Sequence, residues 1–251
     1  MVKMPFLLIV LAVFGLLLFG CEGDDGTPTT SPDDLSQDLA GRVNDNDGQD
    51  DDAGERVWHI YTVDKGDVEE NEDRGRCNSI ALDSEDAVHI SYRVFSPVNG
   101  EGDEGYNLKY ATNRSGAWVA TIVDLDENVG NDTSIAIDSN DYVHITYYGW
   151  ANDALRYATN SSGSWEIAIV DSAEDTGYDS SVVLDGDDNV CVSYYADGSL
   201  KYATNAGGAW QYFILDGNDN AGWFTSMRLD ASGYAHIAYY AVSELRYATN
   251  S

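Results

Sequence analysis

Positive charge is scarce in this sequence. Thirteen Lys and Arg stand against 44 Asp and Glu, which leaves a net charge of −31 over 251 residues. Phosphate-rich partners need clustered Lys and Arg, so nucleic acid and anionic lipid are poor partners, and calcium, cationic ligands or a salty medium suit the charge better. Cysteine is nearly absent too. Cys77 and Cys191 are too few for a disulfide framework, and their positions do not say whether they pair. No stretch beyond residue 55 has helical periodicity, which argues against a bundle or an α/β sheet. Long apolar runs are confined to one place.

That place is the N-terminus, where Lys3 precedes an apolar run from Pro5 to Phe19, followed by Gly20 and Cys21. A basic start, an apolar stretch of about 7–15 residues and a small residue before the cut make an export leader. An uncleaved spanning helix needs about 20 apolar residues, slightly more than are present. Cysteine directly after the small residue resembles the lipobox of bacterial lipoproteins. The resemblance implies cleavage after residue 20, a lipid on Cys21, membrane attachment through that lipid, and export to the bacterial cell envelope (outer membrane or cell surface). Residues 22–55 are rich in Asp, Gly, Thr, Ser, Pro and Asn and nearly empty of large apolar side chains. Such a segment cannot bury enough surface to offset its ordering entropy, so 21–55 reads as a disordered acidic tether. An acidic tail that captures a cationic partner has the same composition. Residues 56–251 suit one domain.

One unit recurs four times within that domain. Its first piece is SIALD at Ser79–Asp83, SIAID at Ser134–Asp138, SVVLD at Ser181–Asp185 and SMRLD at Ser226–Asp230. The second is VHISY, VHITY, VCVSY and AHIAY, beginning at Val88, Val143, Val190 and Ala235. The third is KYATN or RYATN, ending at Asn113, Asn160, Asn205 and Asn250. The fourth opens on Trp118, Trp165 or Trp210 and closes six residues later on Asp124, Asp171 or Asp216. Each piece is short, alternating and rich in β-branched and aromatic residues, and the joints are turn-forming Asp, Ser, Gly and Asn. Four strands per unit at a period of about 45 is the pattern of a propeller blade. The expected fold is all-β: a four-bladed β-propeller of four-stranded antiparallel blades. Blade one covers 79–124, blade two 134–171, blade three 181–216 and blade four 226–251. Blade four lacks the Trp-bearing strand. Trp58–Asp64 has the same Trp-to-Asp spacing, so this N-terminal strand is expected to complete the last blade and close the ring as a monomer. A ring completed by a second copy, or a longer propeller, accommodates the same repeats.

The phrases VHISY, LKYATN and the Ser-Gly-x-Trp turn resemble the neuraminidase-like repeats of bacterial secreted proteins. The turn Thr112–Trp118 looks like a degenerate Asp-box, with Asn in place of Asp and the Gly-to-Trp spacing one residue short. The resemblance implies the fold. It brings no catalytic set, because no Arg-Ile-Pro segment is present and Arg156 and Arg246 are repeat positions aligned with Lys109 and Lys201.

Residues that repeat read as structure. His89, His144 and His236 share one slot with Cys191, and a Cys cannot stand in for a proton shuttle, so each His is expected to bond the Asp six residues before it. One Trp per unit reads as packing between sheets. The acidic turns, densest at Asp185–Asn189, could hold calcium, but the same residues make tight turns without an ion. What departs from the repeat is expected on the loops of one face: Trp150, Trp223, Tyr178, Phe95, Tyr106 and Phe224, among many carboxylates. Binding residues concentrate on such loops, and aromatics beside acids suit sugar rings or cations. The bland alternative is that they cap the blades. A surface binding module for glycan or protein follows, rather than an enzyme. A polysaccharide hydrolase or lyase using paired carboxylates such as Asp175 and Asp179, and a structural envelope protein, are the alternatives.

Overall fold

The computed structural model describes residues 58–65, 73–98, 103–126, 128–173, 175–218 and 220–251. The leader, the tether and Cys21 lie outside them. Strands β1 (Asp73–Leu82), β2 (Val88–Val98), β3 (Asp103–Thr112) and β4 (Val119–Asp124) form blade one. Blade two is β5 (Val129–Ile137), β6 (Val143–Gly149), β7 (Ala154–Thr159) and β8 (Glu166–Asp171). Blade three is β9 (Thr176–Leu184), β10 (Val190–Ala196), β11 (Ser199–Thr204) and β12 (Gln211–Asp216). Blade four has three strands, β13 (Trp223–Leu229), β14 (Ala235–Ala241) and β15 (Glu244–Thr249). Each sheet is an antiparallel meander in chain order, and the innermost strands β1, β5, β9 and β13 pack in succession. The architecture is propeller-like.

The repeated residues explain why each unit folds alike. The Asn that ends the third piece accepts the N–H that opens the second: Val88 to Asn113, Val143 to Asn160, Val190 to Asn205 and Ala235 to Asn250, at 2.7–2.8 Å. The Asp after the first strand folds its turn by accepting backbone N–H groups, as Asp138 does from Asn140 and Tyr142. Its other oxygen meets the histidine, His89 with Asp83 at 3.1 Å and His144 with Asp138 at 3.2 Å. The far ring nitrogen meets Tyr110 or Tyr157 on the third strand. In blade three, Cys191 takes the histidine's place and accepts from Tyr202 instead. The repeated histidines are therefore internal braces.

Successive blades are joined by backbone-close contact. The sequence locates the first strands at 79, 134, 181 and 226, but they begin upstream, with a bulge in which Gly and the residue two beyond it take positive φ. There Gly130, Gly177 and Gly222 lie against the main chain of Leu108, Leu155 and Leu200 in the preceding blade. A Cβ on Gly177 would sit 2.6 Å from Leu155 Cα. Beside this contact two hydroxyls meet across each junction: Ser91 with Thr133, Thr146 with Ser180 and Ser193 with Thr225, at 2.8–2.9 Å.

Two expectations differ from the structure. Phe95 and Tyr106 do not lie on a loop, because β2 and β3 run on and pair them. Trp58–Asp64 forms no strand, and Trp58 is 94% exposed. Its Asp64 end is anchored, and it is anchored on blade one, where the half-buried Val63 also lies. The physical reason is reach: among the described residues no strand of blade four packs closely on a strand of blade one, so β15 lies away from the segment meant to pair with it.

Alanine at Gly177 should cost about 2–4 kcal/mol, from overpacking and a φ that disfavours Cβ. Alanine at Gly163, whose φ is also positive but which faces open space, should cost about 1 kcal/mol. Thermal melts of the two variants check the difference, at about 2–4 °C per kcal/mol.

Candidate aromatic binding face

The second strand of each unit carries two adjacent aromatics in blades two, three and four, at Tyr147-Tyr148, Tyr194-Tyr195 and Tyr239-Tyr240. Because strand side chains alternate, one of each pair faces each side. Tyr147, Tyr194 and Tyr239 turn to the preceding outer strand and donate to Asp124, Asp171 and Asp216. The same carboxylates accept from Arg156, Lys201 and Arg246. Burial alone would raise Asp171, but the bonds from Lys201, the Ala173 N–H and Tyr194 outweigh it and hold the carboxyl below its usual range.

The other tyrosines meet the bulge of the following blade. Tyr148 stacks on Tyr178 and Tyr195 stacks on Trp223, each pair with ring centroids 4.0 Å apart. Blade one has no tyrosine in this slot. Its Arg93 instead bonds Asn131 and lies over the Tyr106 ring at 4.1 Å. Tyr178 donates to Tyr148 at 2.7 Å, which donates to Asp153 at 2.6 Å, and Tyr195 donates to Asn220 at 2.8 Å. Trp150 sits on a short 3-10 turn, Trp150–Asn152, held by its N–H to Asn128, with its ring edge-on to Tyr148. Phe224 follows Trp223 and meets Tyr240 edge-on at 6.2 Å. The result is a run of touching rings: Trp150, Tyr148, Tyr178, Trp223, Phe224 and Tyr240.

The residues singled out from the sequence fall into two groups. Trp150, Tyr178, Trp223 and Phe224 belong to one band, and Phe95 and Tyr106 pair separately on blade one at 5.1 Å. Tyr178 is buried and Trp223 half-buried, both on inner strands rather than loops, whereas Trp150 and Phe224 are exposed. Tyr148, Tyr195 and Tyr240 were hidden in the repeat. The doubled Tyr was their signal, since only one member of each pair can face the Asp tether.

The carboxylates at the band serve the junctions. Asp132 accepts the N–H of Asp179, and Asp179 accepts that of Phe224 at 2.8 Å. All three have left-handed φ near +50°, a conformation that Asp tolerates and that is unusual for Phe. Burial, with the Asp132 charge added, pushes the Asp179 carboxyl up to about 7. In the acidic turn, Asp185 accepts from Asp187 and Asn189 and so shapes the turn. Among the described residues no three His, Cys, Asp or Glu side chains converge as metal ligands.

No family model and no curated protein matches this sequence. Several solved structures resemble it at low identity. A Dyadobacter fermentans protein of unknown function is 12% identical, with a TM-score of 0.49, over 68% of this chain and 51% of its own. The Aleuria aurantia lectin in complex with Fucalpha1-6GlcNAc is 14% identical, with a TM-score of 0.41, over 69% of this chain and 60% of its own. A Bacteroides ovatus glycosyl hydrolase is 15% identical, with a TM-score of 0.39, over 68% of this chain and 64% of its own. The chain thus spans less than two thirds of the length of each.

Asp179 also sets a pH dependence. Its folded pKa lies above the unfolded value, so the folded state holds the extra proton, and this contribution to stability is lost as pH rises through about 7. Asp179→Asn mimics the protonated group and should stabilise the protein more at pH 8 than at pH 5, by on the order of 1–2 kcal/mol. Denaturant titrations at the two pH values measure it.

Proposed function

We propose that this chain is a surface-anchored binding module that takes glycan along the aromatic band. The observation that carries the reading is the unbroken run of rings across blades two to four, ending in the exposed Trp150, Phe224 and Tyr240. Exposed ring faces stack on the C–H faces of sugars, and the buried tyrosines beneath fix their orientation, so little ordering entropy is lost on binding. Asp153 and Asn220, already fixed by Tyr148 and Tyr195, supply acceptors for sugar hydroxyls. Cleavage at Gly20, lipid on Cys21 and the tether to residue 55 hold the module at the cell envelope. On pairing with β15, Trp58–Asp64 would supply the outer strand that blade four lacks.

A hydrolytic reading has one observation in its favour, an acid at Asp179 that titrates near neutrality. That carboxylate is engaged by the Phe224 N–H, which fits a bracing role. Polysaccharide cleavage that disappears in Asp179→Asn would establish the enzyme instead.

Replacing Trp150 and Phe224 together by Ala removes exposed rings without cutting into the Tyr195–Trp223 stack. Retention on immobilised glycans should fall at least about tenfold, as expected for two stacking rings, with the circular dichroism spectrum and melting temperature within error of the parent. Unchanged retention would refute the band as the binding surface.

A further inference from the structure

Blades one and four each display half of an interface that the molecule shows complete three times. At the internal junctions Leu108, Leu155 and Leu200 are fully buried, each against the bulge glycine of the next blade. Leu245 holds the same slot in blade four and is 85% exposed. Its counterpart, Gly75 of blade one, has the matching φ of +93°, yet no described residue lies within 4 Å of where its Cβ would be. Ile80 is 65% exposed, whereas its equivalents Ile135, Val182 and Met227 are buried under the preceding blade. Tyr247 is exposed where Tyr110 and Tyr157 are buried.

An empty groove tells the same story. Trp165 of blade two packs edge-on against Tyr110 of blade one, at 5.3 Å, and Trp210 of blade three packs likewise on Tyr157 of blade two. The next such place is at Tyr202, where a groove of about 190 Å³ is lined by Tyr202, Leu215, Ala235, Ile237 and Ala248. Val143, Ile145 and Ala158, the equivalents of the last three, form the core that Trp165 packs against. The groove thus has the lining of an indole site, and at the two filled sites the tryptophan immediately precedes an outer strand, β8 or β12.

We propose that a second copy of this chain fills it. Blade four of one copy abuts blade one of the next. Residues 58–63 of that next copy pair along β15 and place Trp58 in the groove. The tether argues for a second copy over the same chain. Asp64 accepts from Tyr92 at 2.6 Å and from Lys109 and Arg74, as Asp124 does from Tyr147 and Arg156, so it fixes the Trp58 segment at the leading edge of blade one. The vacant groove is at the opposite end of the array. The contact is head-to-tail, and two copies making it reciprocally satisfy both ends of each. The proposal rests on reading Trp58–Asp64 as an outer strand.

One difference sets the strength of this fourth junction. Where the internal junctions have paired hydroxyls, it has Ala238 and Asn78. It lacks that hydrogen bond, so copies separate before blades do.

The test uses the full chain. Native mass spectrometry from detergent should give twice the single-chain mass at micromolar concentration, and one chain's mass throughout would overturn the proposal. Leu245→Asp should give single chains with unchanged circular dichroism, and association that persists would also overturn it. In case Leu245→Asp fails to fold, Ala238→Ser with Asn78→Thr restores the hydroxyl pair and should tighten association up to about tenfold. No tightening would count against the junction. Finally, Trp58→Cys with Ala248→Cys, in a mixture of tagged and untagged chains and with the parent as control for its own cysteines, should oxidise to tagged–untagged dimers. A bond formed only within single chains sinks the second copy and keeps the strand reading; no bond sinks both.

Discussion

The carboxylate that ends each outer strand is what the rest of this structure hangs on. Asp124, Asp171 and Asp216, which end β4, β8 and β12, each receive a tyrosine hydroxyl and a Lys or Arg from the sheet that follows, and Asp64 receives the same kind of pair from Tyr92 and Lys109 of blade one. In a chain with so few cations, Lys109, Arg156, Lys201 and Arg246 all serve this tie, although Arg156 also reaches Asp126 and Arg246 also reaches Glu244. Removing one partner would strand a charge in a largely buried place, which costs far more than an exposed ion pair contributes. The order of the blades and the aromatic band both follow from where those carboxylates are fixed.

Much of the fold was legible because its unit is repeated. The alternating pieces at Ser79–Asp83 and Val88–Tyr92 and their copies are strands, and the histidine slot joins the Asp six residues before it in blades one, two and four. The bulged beginnings of the inner strands were not legible. Gly130–Thr133 and Gly177–Ser180 contain left-handed Gly and Asp that break the two-residue alternation, so they look like loops when read by pattern. Arg93–Val98 and Asp103–Asn107 were misread for a similar reason, since Pro97, Gly102 and Gly105 signal a loop on a hairpin that nonetheless stays paired.

The candidate site was half legible. Trp150 and Phe224 stand out by departing from the repeat and are exposed. Tyr178 and Trp223 stand out equally and prove to be packed between blades, because departure from a repeat marks a changed junction as readily as a surface. The tyrosines that support the band were masked by the repeat itself. Closure was the least legible feature. A strand count balances in the same way whether a segment returns to its own last sheet or reaches another, and spacing within a chain carries no information on which it does.

The contact of Gly130, Gly177 and Gly222 with leucine main chain has an evolutionary reading. It is largely backbone against backbone, so the approach of neighbouring units at this point does not depend on which side chains stand beside it. The residues beside it can change, as Arg93 in the slot of Tyr148 and Tyr195 shows, while the glycine–leucine contact stays the same. A chain built this way can exchange side chains at its junctions without moving the main-chain contact that spaces its sheets.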